Sequence, residues 1–234
     1  MNEQLKDLYT SKWEEISNML QSFNEEDPED YENMATHPLL IKADEEYEYA
    51  DLKVMFFGKE TNSWYGAFEE GIDIDSVISF YDEFYLKKGY ERYGKPFWNF
   101  IRKLKSTQSN KKIGYIWNNV LKIGKSESGS PQQGLINYTI ESFNVIPQEI
   151  EILKPNILLF LSGHDYEKHI KKSVGNFTKV PIEGFDPNKL CLLKFDDINV
   201  DLAIRTYHPG YFQRFRELRI EITDKINELI ENQN

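Results

Sequence analysis

The sequence predicts an α/β fold of three α/β/α layers around a mostly parallel central sheet. Five short apolar runs end in clusters of Gly, Pro, Asn or Ser, as buried strands do. Stretches with helical periodicity separate most of these runs, and that alternation is typical of parallel sheets with helices on both faces. The sequence shows no internal repeat and no linker, so we expect residues 1–234 to form one domain.

Composition narrows the classes of protein to which the chain can belong. The formal net charge of −11 argues against nucleic-acid binding over the whole surface. Basic residues nevertheless gather at 103–125, 168–172 and 205–219, which predicts one local basic face. The single cysteine, Cys191, excludes a disulfide within the chain and a cysteine-based zinc or iron–sulfur site.

Targeting and cofactor signals are missing from the sequence. The first residues carry acids and no apolar segment of signal-peptide type, and no later run is long and uncharged enough to span a bilayer. The four histidines lack a metal-ligand spacing. We therefore expect a cytoplasmic monomer without a membrane partner, a metal or another cofactor.

The first half of the chain begins with a helical extension over 1–50, whose residues 5–23 carry apolar side chains at helical spacing. Residues 51–58 (DLKVMFFG) predict the first buried strand. The loop 58–66 follows with an acid, an amide, a hydroxyl and two aromatic rings, which is a chemically dense cluster for a strand end. An acidic and aromatic insertion occupies 67–93, where the ring spacing favours helix core.

The second half continues the alternation of strands and helices. Further strands are expected at 115–122, 157–161, 190–195 and 203–206. Helices are expected after the turn at 94–96, over about 140–153, around 168–172 and over 214–230. The loop 125–134 is rich in Gly, Ser, Pro and Gln, which predicts a flexible segment, and its sequence gives no indication of a function.

Polar side chains at the strand ends are the candidate site residues. Ligands of open α/β sheets bind at the carboxyl ends of the strands, and His208 follows the last predicted strand. The alternative is a surface histidine beside a structural proline. In the first loop, Asn62 or Ser63 alternatively only caps the next helix. Asn118 and Asn119 are either satisfied structural amides or amides that read a ligand.

Five strand-end motifs occur in order: GKETNSWYG (58–66), GKPFWNFIRKL (94–104), YIWNNVLK (115–122), KPNILLFLSG (154–163) and TYHPGYFQR (206–214). This series resembles the uracil-DNA glycosylase superfamily and is most similar to its thermophile-type branch, over residues 51–219. The resemblance implies the superfamily fold, DNA as the partner, and hydrolysis of the N-glycosidic bond of a pyrimidine flipped out of the duplex, which leaves an abasic site.

The resemblance also implies residue roles. Glu60 stands where the uracil-specific branch of the superfamily has an aspartate that helps to activate water, and His208 stands where a histidine stabilises the departing base in the manner of an oxyanion hole. The implied base-binding residues are Phe97, Asn119, Tyr65 and Trp64. The implied DNA-binding residues are Tyr211, Phe212, Gln213, Arg214 and Lys122.

Three departures from the family pattern affect the expected substrate. Lys59 stands where the thermophile branch has its acid, the four cluster cysteines of that branch are absent, and the insertion 67–93 adjoins the base pocket. We expect the excised base to be uracil, as in DNA repair, or a hypermodified cytosine of phage DNA, as in antiviral defence. The alternatives are a non-catalytic module that binds nucleic acid or protein, and an α/β hydrolase that acts on a free nucleoside or a small glycoside.

Overall fold

The computed structural model describes residues 1–106, 110–211 and 215–233. It shows an α/β fold built on a mixed six-stranded sheet. The strands are β1 (Leu52–Gly58), β2 (Ile113–Asn119), β3 (Ile157–Leu161), β4 (Phe177–Pro181), β5 (Leu190–Phe195) and β6 (Leu202–Thr206).

The sheet has the strand order β2-β1-β3-β6-β5-β4. β1 pairs in parallel with both β2 and β3, and β3 pairs in parallel with β6. β5 runs antiparallel to β6 and to β4. All five residues of β3 are buried, which explains why this strand is a continuous apolar run in the sequence.

Helices lie between β1 and β2, between β2 and β3 and between β3 and β4, whereas β4, β5 and β6 follow one another without a described helix. The described α-helices are α1 (Asn2–Glu26), α2 (Glu45–Glu48), α3 (Ile74–Tyr81), α4 (Pro96–Lys105), α5 (Gln133–Ser142), α6 (Ile146–Leu153), α7 (Glu167–Ser173) and α8 (Arg216–Glu231). Local chemistry sets several of their starts. The Asp73 carboxylate accepts a hydrogen bond from the Ser76 amide at 2.9 Å, and α4 begins at Pro96.

Side chains that alternate along β2 pack against helices on opposite faces of the sheet. Asn118 contacts Glu149 of α6, whereas the ring of Trp117 lies 5.0 Å from that of Trp98 in α4. Tyr9 of α1 reaches the same Glu149 carboxylate at 2.6 Å. This arrangement is consistent with three α/β/α layers, with the apolar core between the sheet and each helical layer.

Three elements differ from the sequence prediction. The strand expected at 115–122 is β2, which begins at Ile113 and ends at Asn119. β4 was not predicted, because Phe177 is its one buried residue and the strand therefore lacks an apolar pattern. The single helix expected over 140–153 is in fact two helices, α5 and α6. Pro147 lies in the first turn of α6 and has no N–H to donate, so a continuous helix cannot pass through it.

The insertion 67–93 covers the outer edge of the sheet at β2. The Tyr81 hydroxyl accepts a hydrogen bond from the Trp117 amide at 3.0 Å and donates to the Trp117 carbonyl at 2.8 Å. The Tyr85 hydroxyl donates to the Tyr115 carbonyl at 2.9 Å. These two phenols therefore satisfy backbone groups that a neighbouring strand would otherwise satisfy.

Candidate active site

A cavity of about 630 Å³ opens at the carboxyl edge of the sheet. The loop after β1, the end of β2, the start of α4 and the turn after β6 contribute to it, and so does the insertion. Its lining residues are Gly58, Lys59, Glu60, Thr61, Asn62, Ser63, Trp64, Tyr65, Phe84, Tyr93, Lys95, Pro96, Phe97, Trp98, Trp117, Asn119, Ser128 and His208.

The strand order explains the position of this cavity. In the strand order, β2 lies next to β1 on one side, and the following strand, β3, lies next to β1 on its other side. Such a reversal separates the loops that follow neighbouring strands and leaves a crevice at their carboxyl ends. Glu60 follows β1 and Tyr166 follows β3, so these two residues lie on either side of the reversal.

Gly58 allows the amide of Asn119 to lie against the end of β1. A Cβ atom at Gly58 would stand 2.4 Å from Asn119 Oδ1 and 3.4 Å from the Phe97 ring. A real side chain does not fit in that space. The glycine that ends β1 therefore brings the Asn119 amide and the Phe97 ring together at the cavity wall.

The orientation of the Asn119 amide follows from its neighbour. Trp117 Nε1 lies 3.2 Å from Asn119 Oδ1, and because an indole N–H only donates, the atom that faces it is the amide oxygen. Asn119 is 1% exposed, and its Nδ2 has no hydrogen-bond partner among the described residues. A buried donor without a partner costs about 1–3 kcal/mol, and a ligand acceptor would recover that free energy.

His208 is a neutral imidazole with a defined tautomer. The Gly210 amide donates to His208 Nδ1 at 3.1 Å, so this nitrogen carries no proton and the ring proton is on Nε2. Burial, together with the nearby Lys59 ammonium, lowers the pKa of His208 to about 4. Its ring stacks on Phe97 with a centroid separation of 5.6 Å. The side chain therefore supplies one neutral N–H donor.

Glu60 carries a partly buried carboxyl group. Burial raises the pKa of Glu60, whereas the Tyr166 hydroxyl, which donates to Glu60 Oε2, and the Lys59 ammonium act in the opposite direction. Lys59 Nζ lies 4.8 Å from the centroid of the Tyr166 ring. Burial has the larger effect, so the pKa of Glu60 is above that of an ordinary glutamate and its carboxylate takes up a proton at a higher pH.

The first loop has a strained backbone. Ser63 and Tyr65 adopt positive φ angles of 51° and 56°, and such angles at non-glycine residues are a frequent feature of functional loops. The segment after β2 holds the loop in place, since the Ser63 amide donates to the Lys125 carbonyl at 3.1 Å and the Gly129 amide donates to Asn62 Oδ1 at 3.2 Å. The loop 125–134, whose sequence gave no indication of a function, thus supports the cavity wall.

The structure brings six of the predicted site residues to one cavity: Glu60, His208, Phe97, Asn119, Trp64 and Tyr65. Tyr211 lies outside the cavity, is 44% exposed, and stacks on Tyr207 at 4.2 Å. Phe212, Gln213 and Arg214 fall outside the described residues.

No family model and no curated protein matches this chain. The resemblance to uracil-DNA glycosylases therefore depends on the motif series alone.

The prediction that Lys122 contacts DNA is wrong. Lys122 is 1% exposed, and its Nζ bonds to Glu149 Oε1 at 2.8 Å and to Asn118 Oδ1 at 2.9 Å. Because both partners lie inside the protein, the ammonium cannot reach a phosphate. Asn118 is likewise a satisfied structural amide, since its Nδ2 donates to Glu149 Oε2 at 2.8 Å.

Sequence reasoning missed Tyr166 and the insertion residues Phe84 and Tyr93. Tyr166 follows a predicted strand end, SGH, which was a usable signal for placing it near the site. The insertion carries a mixture of core and cavity rings. Tyr81, Tyr85 and Tyr90 are buried as predicted, whereas Phe84 and Tyr93 line the cavity, and ring spacing alone does not separate the two groups.

Neither a metal-ligand cluster nor a membrane-spanning helix is found in the part of the chain that the structure describes. Within 1–106, 110–211 and 215–233, no three His, Cys, Asp or Glu side chains are grouped so that they would hold a metal ion. Across those same residues, every helix is too short or too polar to cross a membrane.

Proposed function

We propose that the protein is a DNA glycosylase that hydrolyses the N-glycosidic bond of a pyrimidine nucleotide extruded from DNA. The observation that carries this proposal is the convergence of Glu60, His208, Phe97 and Asn119 on one cavity at the carboxyl edge of the sheet. A base inside the duplex cannot reach such a cavity, so the nucleotide must leave the stack. The ring of Phe97 offers the extruded base a stacking surface, and Asn119 Nδ2 offers its edge a donor.

The proposed reaction uses Glu60 and His208 on the two products of bond cleavage. The bond between the sugar carbon and the base nitrogen breaks, and its electron pair leaves with the base. A water oxygen bonds to the sugar carbon and gives a proton to the Glu60 carboxylate. The neutral His208 Nε2–H stabilises the negative charge that develops on a base oxygen. This charge is neutralised when solvent protonates the released base.

His208 can act as a donor in its neutral form. Because the pKa of His208 is lowered to about 4, the ring donates without carrying a charge at neutral pH, and needs no deprotonation before the substrate binds. The raised pKa of Glu60 leaves it a stronger base than an ordinary carboxylate, while Lys59 and Tyr166 favour its ionised form.

An excision assay tests the proposed function. Oligonucleotides that contain uracil, hydroxymethylcytosine or glucosylated hydroxymethylcytosine are incubated with the protein, and abasic sites are revealed by alkaline cleavage. We expect release of at least one of these bases. The variant Glu60→Gln should lose about 10²-fold or more in rate while it still binds DNA, and Glu151→Gln, on the exposed side of α6, should behave as the unaltered protein.

Two outcomes would contradict the proposal. The absence of abasic product from all of the substrates, with DNA binding retained, would favour the non-catalytic binding module. Full activity in Glu60→Gln would remove the proposed base from the reaction.

A further inference from the structure

The cavity is larger than the proposed reaction requires. A complete pyrimidine nucleoside has about sixteen non-hydrogen atoms and occupies at most ~480 Å³, at the ~30 Å³ that a water molecule takes in the liquid. The cavity measures about 630 Å³. Since covalently bonded atoms occupy less space than separate water molecules, the true excess is greater than this comparison gives.

Part of the cavity lining has no role in the proposed chemistry. We call this part the aromatic compartment, and it consists of Trp64, Tyr65, Phe84 and Tyr93. Trp64 and Tyr65 come from the first loop, whereas Phe84 and Tyr93 come from the insertion. The centroid of the Trp64 ring lies 5.3 Å from that of Phe84 and 5.4 Å from that of Trp117. Because Trp117 also orients the Asn119 amide, the compartment adjoins the part of the cavity proposed to bind the base.

One residue of the compartment carries a buried donor without a partner. Trp64 is 5% exposed, and its Nε1 has no hydrogen-bond partner among the residues described by the structure. Indole N–H groups usually find an acceptor when they are buried. An oxygen atom of a ligand would satisfy this donor, as it would satisfy Asn119 Nδ2 in the adjoining part of the cavity.

The polar groups at the compartment favour an uncharged ligand that carries hydroxyls. The Tyr65 hydroxyl lies 3.4 Å from Glu83 Oε2 and 3.3 Å from the Phe80 carbonyl, which places a carboxylate at one side. The other polar groups at the compartment are an indole N–H and phenol hydroxyls, and no cation is among them. A carboxylate without a cation disfavours an anionic ligand, whereas the hydroxyl groups of a ligand can both donate to and accept from these groups. Flat rings with a few polar groups are a typical lining for such a ligand.

We propose that the aromatic compartment holds a bulky, uncharged, hydroxyl-bearing substituent, of the size of a hexose, on the edge of the pyrimidine that is remote from the deoxyribose. This inference rests on the proposed glycosylase function and specifies its substrate class. Trp64 Nε1 is the donor to the substituent, and Phe84 and Tyr93 pack against it. The insertion is therefore the element that selects the substrate.

The test compares kcat/KM for glucosylated hydroxymethylcytosine with kcat/KM for hydroxymethylcytosine and for uracil in the same DNA sequence. We expect the glucosylated base to be preferred by about tenfold or more. Trp64→Phe keeps an aromatic ring but removes the N–H, and should reduce this preference about three- to tenfold. Tyr93→Ala, at a residue that is 48% exposed, should reduce it without a risk to folding. Tyr138→Ala, at an exposed ring outside the cavity, is the matched control and should not change the preference.

The outcomes separate this inference from the proposed function. Release of uracil or hydroxymethylcytosine at the same kcat/KM as the glucosylated base would overturn the inference and leave the glycosylase function intact. An unchanged preference in both Trp64→Phe and Tyr93→Ala would also overturn it. If none of the bases is released, the proposed function fails, and the same oligonucleotides are then used in binding measurements. Tighter binding of the glucosylated one would still support the compartment, and equal binding would reject it.

Discussion

At the scale of single residues, the ionisation of Glu60 is controlled by two neighbours. Burial favours the neutral acid, and the Tyr166 hydroxyl and Lys59 ammonium favour the carboxylate. The balance matters because only the carboxylate accepts a proton from water. Tyr166 contacts the carboxylate directly and comes from another strand end, so it positions Glu60 as well as tuning its pKa.

Replacement of Tyr166 by Phe should shift the acidic limb of the pH–rate profile to higher pH. The substitution removes a hydrogen bond that lowers the pKa of Glu60, so a higher pH is needed to ionise the carboxyl group. The measurement is the single-turnover rate of base release as a function of pH. Tyr138→Phe serves as the control, and an acidic limb that stays in place would show that the Tyr166 hydroxyl has no influence on the reacting acid.

His208 should make the folded state less stable in acid. Its pKa is about 4 in the folded protein, against 6.5 for an unperturbed histidine, so between these values the unfolded chain binds a proton that the folded protein does not. Stability therefore decreases as the pH falls from 6.5 to 4 and the effect levels off below that, at roughly 3 kcal/mol in total.

Urea unfolding at about pH 7 and about pH 4.5 measures this contribution. His37 and His169 also have lowered pKa values because of burial, so the unaltered protein loses stability from several groups. The comparison with His208→Gln isolates one of them. Over the same pH interval, the loss of stability in this variant should be smaller by about 2 kcal/mol. Equal losses would contradict the burial of a neutral imidazole.

At the scale of elements, β2 ends in two asparagines with different surroundings. Asn118 belongs to a buried network with Lys122, Glu149 and Tyr9. Its Oδ1 also accepts a hydrogen bond from the backbone N–H of Asn119 at 2.8 Å. Asn119 faces the other side of the sheet, at the cavity. The network therefore fixes the backbone of the residue that offers a donor to the ligand.

Removal of one partner from this network should destabilise the protein strongly. Burial lowers the pKa of Lys122, and the Glu149 carboxylate opposes that shift. Lys122→Met leaves the carboxylate of Glu149 buried without its cation, and the expected loss of unfolding free energy is about 3–5 kcal/mol. The double variant Lys122→Met with Glu149→Leu should recover much of it in denaturant titrations. A single variant as stable as the unaltered protein would show that the pair carries no net charge interaction.

Particular elements show what the sequence was able to predict. β3 and β5 were predicted with their observed bounds, because strands buried in a sheet are short apolar runs with clear ends. β4 was not predicted because an exposed edge strand lacks that apolar pattern. Lys122 was assigned to the DNA-binding residues from the family resemblance, and nothing in the local sequence indicates that its ammonium pairs inside the protein with Glu149, 27 residues away along the chain.

The site was predicted in part for the same physical reason. Strand ends were recognisable, so the residues that follow β1, β2 and β6 were found together with their common edge of the sheet. The contact between Tyr166 and Glu60 depends on how two separate loops fold back towards each other. No periodicity or spacing encodes that contact, and the division of the insertion rings between core and cavity has the same origin.

At the scale of the whole molecule, a net charge of −11 must coexist with a polyanionic partner under the proposed function. Two lysines, Lys59 and Lys95, line the cavity. Repulsion from the remaining surface weakens binding away from the cavity, whereas these ammonium groups attract the phosphates beside the extruded nucleotide.

Lys95→Gln should weaken DNA binding and reduce its salt dependence. One lost phosphate contact lowers the slope of log K against log salt by about 1 for duplex DNA. Lys95→Gln is introduced into the Glu60→Gln protein, which should bind DNA with little turnover. The measurement is the affinity for labelled DNA, with and without Lys95→Gln, between about 50 and 200 mM salt, a range over which this dependence is resolved. Lys112→Gln is the matched control, because Lys112 is exposed at the opposite, amino-terminal edge of the sheet. An equal effect of the two variants would place the DNA elsewhere.

The two phenols that complete β2 have a consequence for how copies of the protein meet. A bare outer strand is a template on which another chain adds a strand, and such addition leads to aggregates. At β2 the Tyr81 and Tyr85 hydroxyls already occupy the backbone groups of Trp117 and Tyr115. At the other border, β4 ends in Pro181 and carries a charged Lys179. Both edge strands of the sheet therefore resist pairing with a strand of another copy, which disfavours aggregation at high protein concentration.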